Sequence, residues 1–482
     1  MTELNINFWT IAPQVVLAIF GFLLMLIGSA TKTKNIGNLH LISAFGFILA
    51  LIVNIYTMSS RKLGFSNMVM SDELSGYFNI LFFIVGVIVS LISEGYIDGK
   101  IKHKGEYYAL ITFSVLGMNF IAVSLDFIML FLGLEIMTFA VYVLAGMFKK
   151  DSRSAESAIK YFLLGSFSTA IFLLGIALLY GAFGTTNFAY MLQTYGKYFE
   201  TEKSINLIAG SSLVLTGIIF KIAVVPFHMW TPDVYDGAPT SVTAFMATAV
   251  KASAFLMLIR VYLIGLRPLV FDIAGVIAIL AIITMTIGNL SALPQKNIKR
   301  MLAYSSIAHA GYMLVGFVAL NQISLSAIMF YLFSYAFMNI GAFTICSLFE
   351  KEGIGCELSD LSGKGFKHPF LGLMTVIFMF SMAGVPPTAG FTGKFYIFTG
   401  AIQSGYISLA IIGVLNSAIS AYYYLRVLVY MFFKDYEGGV SPTSVYPSTV
   451  IGLVISAAGV LALGILPGYL FNATTQAVTF LF

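Results

Sequence analysis

The stretch that decides the fold is Phe220–Thr240, which reads FKIAVVPFHMWTPDVYDGAPT. It follows a long apolar run, yet it contains a lysine, Lys221, and five residues later a proline, Pro226. Proline removes a backbone N–H donor and clashes with the preceding turn, so a regular helix cannot continue through it. A lysine beside such a break predicts a broken membrane helix that lines a polar interior.

A second stretch repeats this design. Residues 383–395 read AGVPPTAGFTGKF, with a Val-Pro break at Pro386 followed by Lys394. The two breaks are 160 residues apart, and each falls in the fourth helix of a predicted set of five. A set with an odd number of helices inverts its second copy, and inverted repeats with broken helices are typical of transporters.

The remainder of the chain is equally apolar. Of its 482 residues, 59% are hydrophobic and 10% are charged, and the mean hydropathy is +0.93. Soluble domains carry roughly 25% charged residues, so the composition excludes a soluble enzyme. Apolar runs of roughly 20 residues predict an all-α multi-pass membrane protein of about 14 transmembrane helices. Its two inverted five-helix repeats are helices 4–8 and 9–13, with helices 7 and 12 broken.

The predicted helices form four consecutive segments. These are an N-terminal three-helix segment, the first and second five-helix repeats, and a C-terminal helix, at residues 1–105, 106–264, 265–435 and 436–482. Lysine and arginine concentrate in alternate loops, which places those loops inside and both chain termini outside. The start Met1-Thr2-Glu3 lacks the positive charge of a signal peptide, so the first apolar run is interpreted as a membrane helix.

Several titratable side chains fall inside the predicted membrane helices. A charge near the membrane centre costs roughly 2.5–3.5 kcal/mol, so a group of them predicts an ion path. A lysine away from water can release its proton near neutral pH, whereas arginine stays protonated. Arg260 and Arg426 lie towards helix ends and are interpreted as anchors. The candidates for proton transfer are Glu135, Lys160, Lys221, Lys251, His309 and Lys394.

Each candidate also has a structural interpretation. Glu135 and Lys251 could form ion pairs without a transport role. Lys160 lies near one end of its helix, where its flexible stem could carry the charge to the inner surface. His309 stands between small residues and could be a neutral, hydrogen-bonded core histidine, while His228 could cap the first break. The residues alone leave these alternatives open.

The chain shows no redox, metal or nucleotide motif. Cys346 and Cys356 form no CxxC pair and have no histidine cluster, so neither a zinc nor an iron–sulfur site is indicated. The segment Gly353-Ile354-Gly355 lacks the third glycine of a dinucleotide fingerprint. Bound cofactors are therefore not expected on this chain. A lone solute transporter is also disfavoured, because the buried groups form a lysine chain rather than a solute-sized polar pocket.

The broken stretches resemble the antiporter-like subunits of respiratory complex I and of multisubunit sodium/proton antiporters. Residues 295–309, which read QKNIKRMLAYSSIAH, share this resemblance, and the match covers residues 70–435. Within the family the chain is most similar to the subunit N group. Its length, its lysine at 394 and the segment KYFLLG at 160–165 are typical of that group.

The resemblance implies a proton-translocating membrane subunit of an NADH:quinone oxidoreductase in a bacterial inner membrane. NADH, flavin, iron–sulfur clusters and quinone would be bound elsewhere in the complex. The implied partners are other membrane subunits, including antiporter-like sister subunits. Two alternatives remain, namely a subunit of a multisubunit cation/proton antiporter and a subunit of a related complex with another electron donor.

The resemblance also implies a role for each candidate residue. Glu135 and Lys160 would form a modulating pair, and Lys221 would be the central proton carrier. Lys251 and His309 would be connecting groups, and Lys394 would be the outer-side exit group.

Overall fold

The computed structural model describes residues 6–30, 38–58, 61–199, 204–350, 356–435, 442 and 445–481. The start Met1-Thr2-Glu3 and the segment Gly353-Ile354-Gly355, both considered above, lie outside the described residues.

The first half of the described chain consists of helices and one short hairpin. The hairpin pairs β1 (Lys62–Gly64) with β2 (Val69–Ser71) between the second and third helices. The helices are α1 (Ala12–Ala30), α2 (Leu39–Thr57), α3 (Glu73–Ile97), α4 (Lys104–Val123), α5 (Phe127–Ala145), α6 (Ser152–Phe183), α7 (Phe188–Phe199), α8 (Ser204–Ile222) and α9 (Trp230–Gly237).

The second half begins with a helix that changes its winding twice. α10 (Thr240–Phe245) passes through a π-helical segment, Met246–Val250, into α11 (Lys251–Ile259), which runs into a second π-helical segment, Arg260–Gly265. The remaining helices are α12 (Val270–Ala292), α13 (Ile298–Ala319), α14 (Gln322–Leu348), α15 (Lys364–Lys367), α16 (Pro369–Ala383), α17 (Ala389–Gln403), α18 (Ile407–Phe433), α19 (Pro447–Ile465) and α20 (Pro467–Val478).

Local sequence fixes where many of these helices begin. The first backbone N–H groups of a helix have no partner within it, and a side-chain oxygen just before the helix can accept from one of them. This cap is present at the starts of α3, α5, α6, α13 and α14, and the capping residues are Asp72, Asp126, Asp151, Asn297 and Asn321.

Thirteen helices among the described residues are long and apolar enough to cross a membrane. The predicted all-α, multi-pass membrane fold is therefore confirmed. The number of crossings and the division into inverted repeats stay predictions.

The helices differ sharply in how much of their surface is covered. The most apolar stretch of the helix Thr240–Gly265 is completely buried, and that of α13 is 94% buried, whereas that of Phe8–Ala30 is 28% buried. Outer helices can expose apolar side chains because lipid covers them, while polar groups at membrane depth must face other protein groups. The central helices are thus where a polar path can exist.

Arg260 corrects one interpretation made from the sequence. Rather than anchoring a helix end at the membrane surface, it is completely buried, and its guanidinium donates to both carboxylate oxygens of Asp72 at 2.8 and 2.7 Å. It also donates to the Ala122 carbonyl at 2.6 Å. A planar guanidinium matches a carboxylate with two parallel hydrogen bonds, which is why the side chain turns inward. Removing one partner of such a buried pair costs about 3–5 kcal/mol.

The other arginine, Arg426, contacts the end of α12. Its guanidinium donates to the carbonyls of Leu293 and Gln295, at 2.8 and 2.5 Å. These carbonyls follow the C-terminal end of α12, where helix carbonyls lack partners and a cation is favoured.

Candidate functional site

The first helix break separates α8 from α9. Residues 223–229 are not α-helical, and protein groups take up the freed backbone donors and acceptors. The Val225 N–H donates to the Thr284 hydroxyl at 3.1 Å, and the Trp230 indole N–H donates to the Phe220 carbonyl at 3.2 Å. A break at membrane depth persists when protein satisfies its backbone. The first break is where the sequence predicted it.

Lys221 lies in the last turn of α8 and is 3% exposed. Its one hydrogen bond among the described residues runs from Nζ to the Tyr142 hydroxyl and is long, at 3.4 Å. The ring centroids of Tyr142, Tyr161 and Phe220 lie 5.6, 5.9 and 5.9 Å from Nζ. Glu135, on α5, is the carboxylate whose charge acts on this lysine. The ammonium is therefore held mainly by aromatic faces and by one distant carboxylate.

Lys251 occupies the point where the first π-helical segment ends and α11 begins. Its side chain is buried, and Nζ donates to the Ser306 carbonyl at 2.6 Å and also to the Ser306 hydroxyl. Short π-helical segments inside α-helices are frequent at functional sites. Here the lysine is directed towards α13, which carries Ser306.

His309 follows Ser306 by three residues on the same face of α13. Its Nδ1 lies 2.6 Å from the Tyr331 hydroxyl, and its Nε2 lies 2.9 Å from the Tyr424 hydroxyl. Each phenol can donate or accept, so the imidazole can have either ring nitrogen protonated. The buried histidine is thus fully hydrogen-bonded and also has the connections that a proton relay needs.

The second helix break separates α16 from α17. α16 ends at Ala383, Gly384 adopts a left-handed φ of 86°, and α17 begins at Ala389. Glycine suits that conformation because it has no Cβ. The second predicted break is confirmed as well.

Lys394 folds back across this second break. Nζ donates to the carbonyl of Met382 at 3.0 Å and to the Ser417 hydroxyl at 2.9 Å, and it lies 5.0 Å from the ring centroid of Tyr312. The last carbonyls of a helix carry partial negative charge and lack helical partners. They hold the lysine in place of a carboxylate. Tyr312 stands three residues beyond His309, again on the same face of α13.

Glu135 and Lys160 are not in contact. Lys160 bridges Glu156 at 2.6 Å and Asp233 at 2.9 Å, and no nitrogen–oxygen distance within 4.0 Å joins it to Glu135 in the described chain. Glu135 is half-buried, and its Oε1 has no hydrogen-bond partner among the described residues. Any influence between the two residues must act through space or through α9, which carries Asp233.

Charged side chains on α9 form a cluster that sequence reasoning missed. Asp233 also accepts from Arg300 at 2.9 Å, and Asp236 pairs with Arg153 at 2.8 Å. These groups line a cavity of about 90 Å³ together with Lys160. Two aspartates within the deciding stretch were the available signal, because carboxylates in an apolar segment require partners.

The comparisons with known proteins agree across the whole chain. The family model "NADH:quinone oxidoreductase/Mrp antiporter, TM" matches residues 124–420. NADH-quinone oxidoreductase subunit N of Trichlorobacter lovleyi is 46% identical over 475 residues, which are 98% of this chain and 97% of that protein. The chain belongs to the NADH-quinone oxidoreductase subunit N family.

Solved structures show the same relationship. A chain of respiratory complex I from Thermus thermophilus is 32% identical, with a TM-score of 0.80, over 96% of this chain and 99% of that chain. A chain of the Mrp complex from Dietzia has a TM-score of 0.86 but 19% identity, covering 99% of this chain and 98% of that chain, so it shares the fold.

Two features of this subunit N family member bear on chemistry. Within the residues that the structure describes, no group of three or more His, Cys, Asp or Glu side chains could hold a metal ion. Lys299 belongs to the first turn of α13 and is 1% exposed. Its burial follows from partners that are distant in sequence, the Ala238 carbonyl and Glu350.

Proposed function

We propose that this chain carries protons across the membrane as the subunit N of an NADH:quinone oxidoreductase. Electron transfer from NADH to quinone would drive the outward movement of protons. NADH, flavin, iron–sulfur clusters and quinone would be bound by other subunits of the complex. The proton path would consist of the titratable side chains described above: Glu135, Lys160, Lys221, Lys251, His309 and Lys394.

The observation that carries the proposal is the order of groups along one face of α13. Ser306 accepts a hydrogen bond from Lys251, and His309 is hydrogen-bonded to two tyrosines. The ring of Tyr312 lies against the ammonium of Lys394. Successive members are three residues apart, which is a rise of about 4.5 Å per step. Two lysines from different parts of the chain are thereby joined through one helix. Each step carries a side chain that can both donate and accept a hydrogen bond, as a proton relay requires.

The chemistry follows from the residue types. A lysine can lose and regain its proton, whereas an arginine cannot. Lys221 would act as the central carrier because its hydrogen bond is weak and because the Glu135 carboxylate favours its charged form. Lys251 and His309 would pass the proton along α13, and Lys394 would release it on the outer side. Lys160 would act on this sequence through Asp233.

The neighbours of the chain follow from Glu135. A half-buried carboxylate at membrane depth is costly against lipid, so the outer face of α5 and α6 is proposed to pack against an antiporter-like sister subunit. The complex would lie in a bacterial inner membrane with both termini of this chain outside.

Two alternatives keep the fold but change the energy source. A multisubunit cation/proton antiporter would have no electron transfer, and a related complex would use another donor. The full-length identity of 46% to a subunit N, against 19% to the Mrp chain, favours the oxidoreductase.

The composition of the assembly tests this choice. The full-length chain is affinity-tagged in its own cell and purified in mild detergent. We expect flavin and iron–sulfur subunits to co-purify, with NADH:quinone activity that pumps protons after reconstitution. Co-purification with cation/proton antiporter subunits alone would refute the oxidoreductase assignment.

A separate test addresses proton transport itself. Lys251→Met should lower proton pumping by about tenfold or more, since it removes a titratable group from the path. Lys62→Met, which changes an exposed lysine of β1, is the matched control and should leave pumping unchanged. Wild-type pumping by the Lys251→Met complex would remove this residue from the path.

A further inference from the structure

A cavity of about 1000 Å³ opens at the end of the molecule where the chain segments 100–103 and 149–153 meet. The distribution of lysine and arginine assigns these segments to the inner side of the membrane. Lys299 and Glu350 lie among the residues that line the cavity, although their side chains are only 2% and 13% exposed. The cavity therefore leads from inner-side water to a buried ion pair.

Four elements of the fold meet at this pair. The Glu350 carboxylate accepts from Lys299 at 3.2 Å on one oxygen, and from the hydroxyls of Tyr96 and Thr240 at 2.7 Å each on the other. Lys299 also donates to the Ala238 carbonyl at 2.6 Å. These partners join α3, the junction of α9 and α10, the start of α13 and the end of α14. The pair is thus attached to the inner end of the first broken helix.

The pair is also aligned with the proton path. Lys299 and Ser306 are seven residues apart on α13, which is two helical turns on one face and a rise of roughly 10 Å. Ser306 is the direct partner of Lys251. Thr240, which donates to Glu350, begins the continuous helix that carries Lys251. Two independent helices therefore connect the cavity floor to the same lysine.

We propose that Glu350, held by Lys299, is the group that collects protons from the inner side for Lys251. This inference rests on the proposed function and names its uptake site. Lys299 first separates from Glu350, and a hydronium ion in the cavity then transfers its proton to the carboxylate, forming one O–H bond and leaving water. The proton then moves from neutral Glu350 along α13 to neutral Lys251, which becomes an ammonium. The carboxylate is restored and pairs with Lys299 again.

The surroundings of Glu350 suit this cycle. Burial tends to raise the pKa of this carboxyl group, but Lys299, the two hydroxyl donors and Lys100 outweigh burial and hold the pKa below its usual value. The titratable groups that interact with Glu350 or with its partner Lys299 are Tyr96 on α3, Lys100 just beyond α3 and Cys346 on α14. Further charged side chains, from the segments 102–106 and 149–153 and from α9, line the cavity in front of the pair. While the ion pair is closed, the carboxylate stays charged and protons do not leak through it between the cavity and Lys251. Opening the ion pair removes its strongest stabilising charge and allows protonation.

The test uses Glu350→Gln, which keeps the size and the hydrogen-bond acceptor but cannot carry a proton. Assembled complex is compared in inverted membrane vesicles, whose outer solution contacts the inner face. We expect pumping per complex to fall by about tenfold, because a positioned proton-transfer group is lost. The deficit should widen as the outer solution is raised from about pH 6 to about pH 8, since free protons become scarcer.

The matched control is Glu106→Gln. Glu106 lines the same cavity, but its side chain is 55% exposed and its ion-pair partner is His103 at 4.0 Å. This variant should pump as the wild type does at every pH. Equal deficits in the two variants would show a general effect of cavity charge and would overturn the proposal. A wild-type pH profile for Glu350→Gln would overturn it as well.

A further variant covers the case in which Glu350→Gln does not assemble. Glu350→Asp keeps a titratable carboxyl with shorter reach and should pump at an intermediate rate with a displaced pH profile, whereas a wild-type profile would refute the proposal.

Lys251→Met in the same vesicles separates the uptake site from the proposed proton path. Loss of pumping in Lys251→Met, with normal pumping in Glu350→Gln, refutes the uptake site alone. Normal pumping in both removes Lys251 from the proposed path, and the uptake site falls with it.

Discussion

The two helix breaks carry one lysine each, but they hold it in opposite ways. Lys221 precedes its break; within the part of the chain that the structure describes, its ammonium makes one hydrogen bond, of 3.4 Å, and aromatic rings surround it. Lys394 follows its break and donates to two helix carbonyls and a hydroxyl, at 3.0, 3.4 and 2.9 Å. The nearby charge also differs, because Glu135 acts on Lys221 while backbone carbonyls surround Lys394.

This difference separates two tasks. When the stabilising charge of a lysine lies on another helix, the proton affinity of the lysine changes if that helix moves or if the charged group gains or loses a proton. When carbonyls of its own broken helix hold the lysine, its proton affinity changes only if the break itself moves. The first arrangement suits a carrier whose proton affinity is modulated, and the second suits a group that releases protons at a fixed position.

The largest effect is expected at Lys221. Lys221→Arg keeps the charge but cannot release the proton, and Lys221→Ala removes both. Both variants should lower proton pumping by roughly a hundredfold, with quinone reduction falling too if coupling is tight. The measurement is proton pumping and NADH:quinone activity at equal amounts of assembled complex. A structural cation would behave differently, with arginine restoring function, and that outcome would move the carrier role to Lys251.

A smaller effect is expected at Lys394. Lys394→Arg should lower pumping by about tenfold, because the arginine can still bond the carbonyls at the end of α16 but cannot exchange its proton. Ser417→Ala removes one of the three hydrogen bonds and should cost a few-fold at most. Pumping is measured as for Lys221. If Ser417→Ala proved more harmful than Lys394→Arg, the lysine would be a cap for the break rather than an exit group.

Glu135 is the residue that makes the first break different from the second. Glu135→Ala should lower pumping by about tenfold, since no carboxylate then favours the charged form of Lys221. Glu135→Asp should be milder, because the charge remains with shorter reach. Glu156→Ala, which removes an exposed carboxylate that pairs with Lys160, is the control. Full pumping by Glu135→Ala would return this residue to a structural role.

The sequence predicted the features that depend on local chemistry. A proline inside an apolar run breaks a helix wherever it occurs, so both breaks could be placed from residues alone. The cost of a charge in the membrane likewise marked the buried lysines. These arguments need no knowledge of which helices are neighbours.

Partners distant in sequence could not be predicted in this way. Arg260 was interpreted as a surface anchor because Asp72, 188 positions away, is visible as its partner only in three dimensions. Asp233 was inside the deciding stretch, but whether it paired with Lys160 depended on how α6 packs against α9.

The smallest effect is expected at the charge cluster on α9, and it tests whether the first break is influenced from two sides. Asp233→Asn removes the carboxylate that joins Lys160 to Arg300, at 2.9 Å from each. Because these side chains are about one-third exposed, water screens the pairs, and the loss of stability should not exceed about 1 kcal/mol per pair. Pumping should fall two- to fivefold, since Lys160 would lose its connection to the broken helix but Glu135 would remain.

Salt concentration distinguishes this electrostatic effect from a packing defect. Raising ionic strength from about 0.01 M to about 1 M shortens the screening length from about 30 Å to about 3 Å. If the cluster acts through its exposed charges, wild-type pumping at high salt should approach that of Asp233→Asn. The pumping deficit of Glu135→Ala should persist at high salt, because the Glu135 carboxylate of the wild type is less accessible to salt. Asp98→Asn, which breaks the surface pair with Lys104, should change nothing at either salt concentration. An Asp233→Asn deficit that is equally large at both salt concentrations would show that Asp233 holds α9 in position and that Lys160 does not act on the first break through charge.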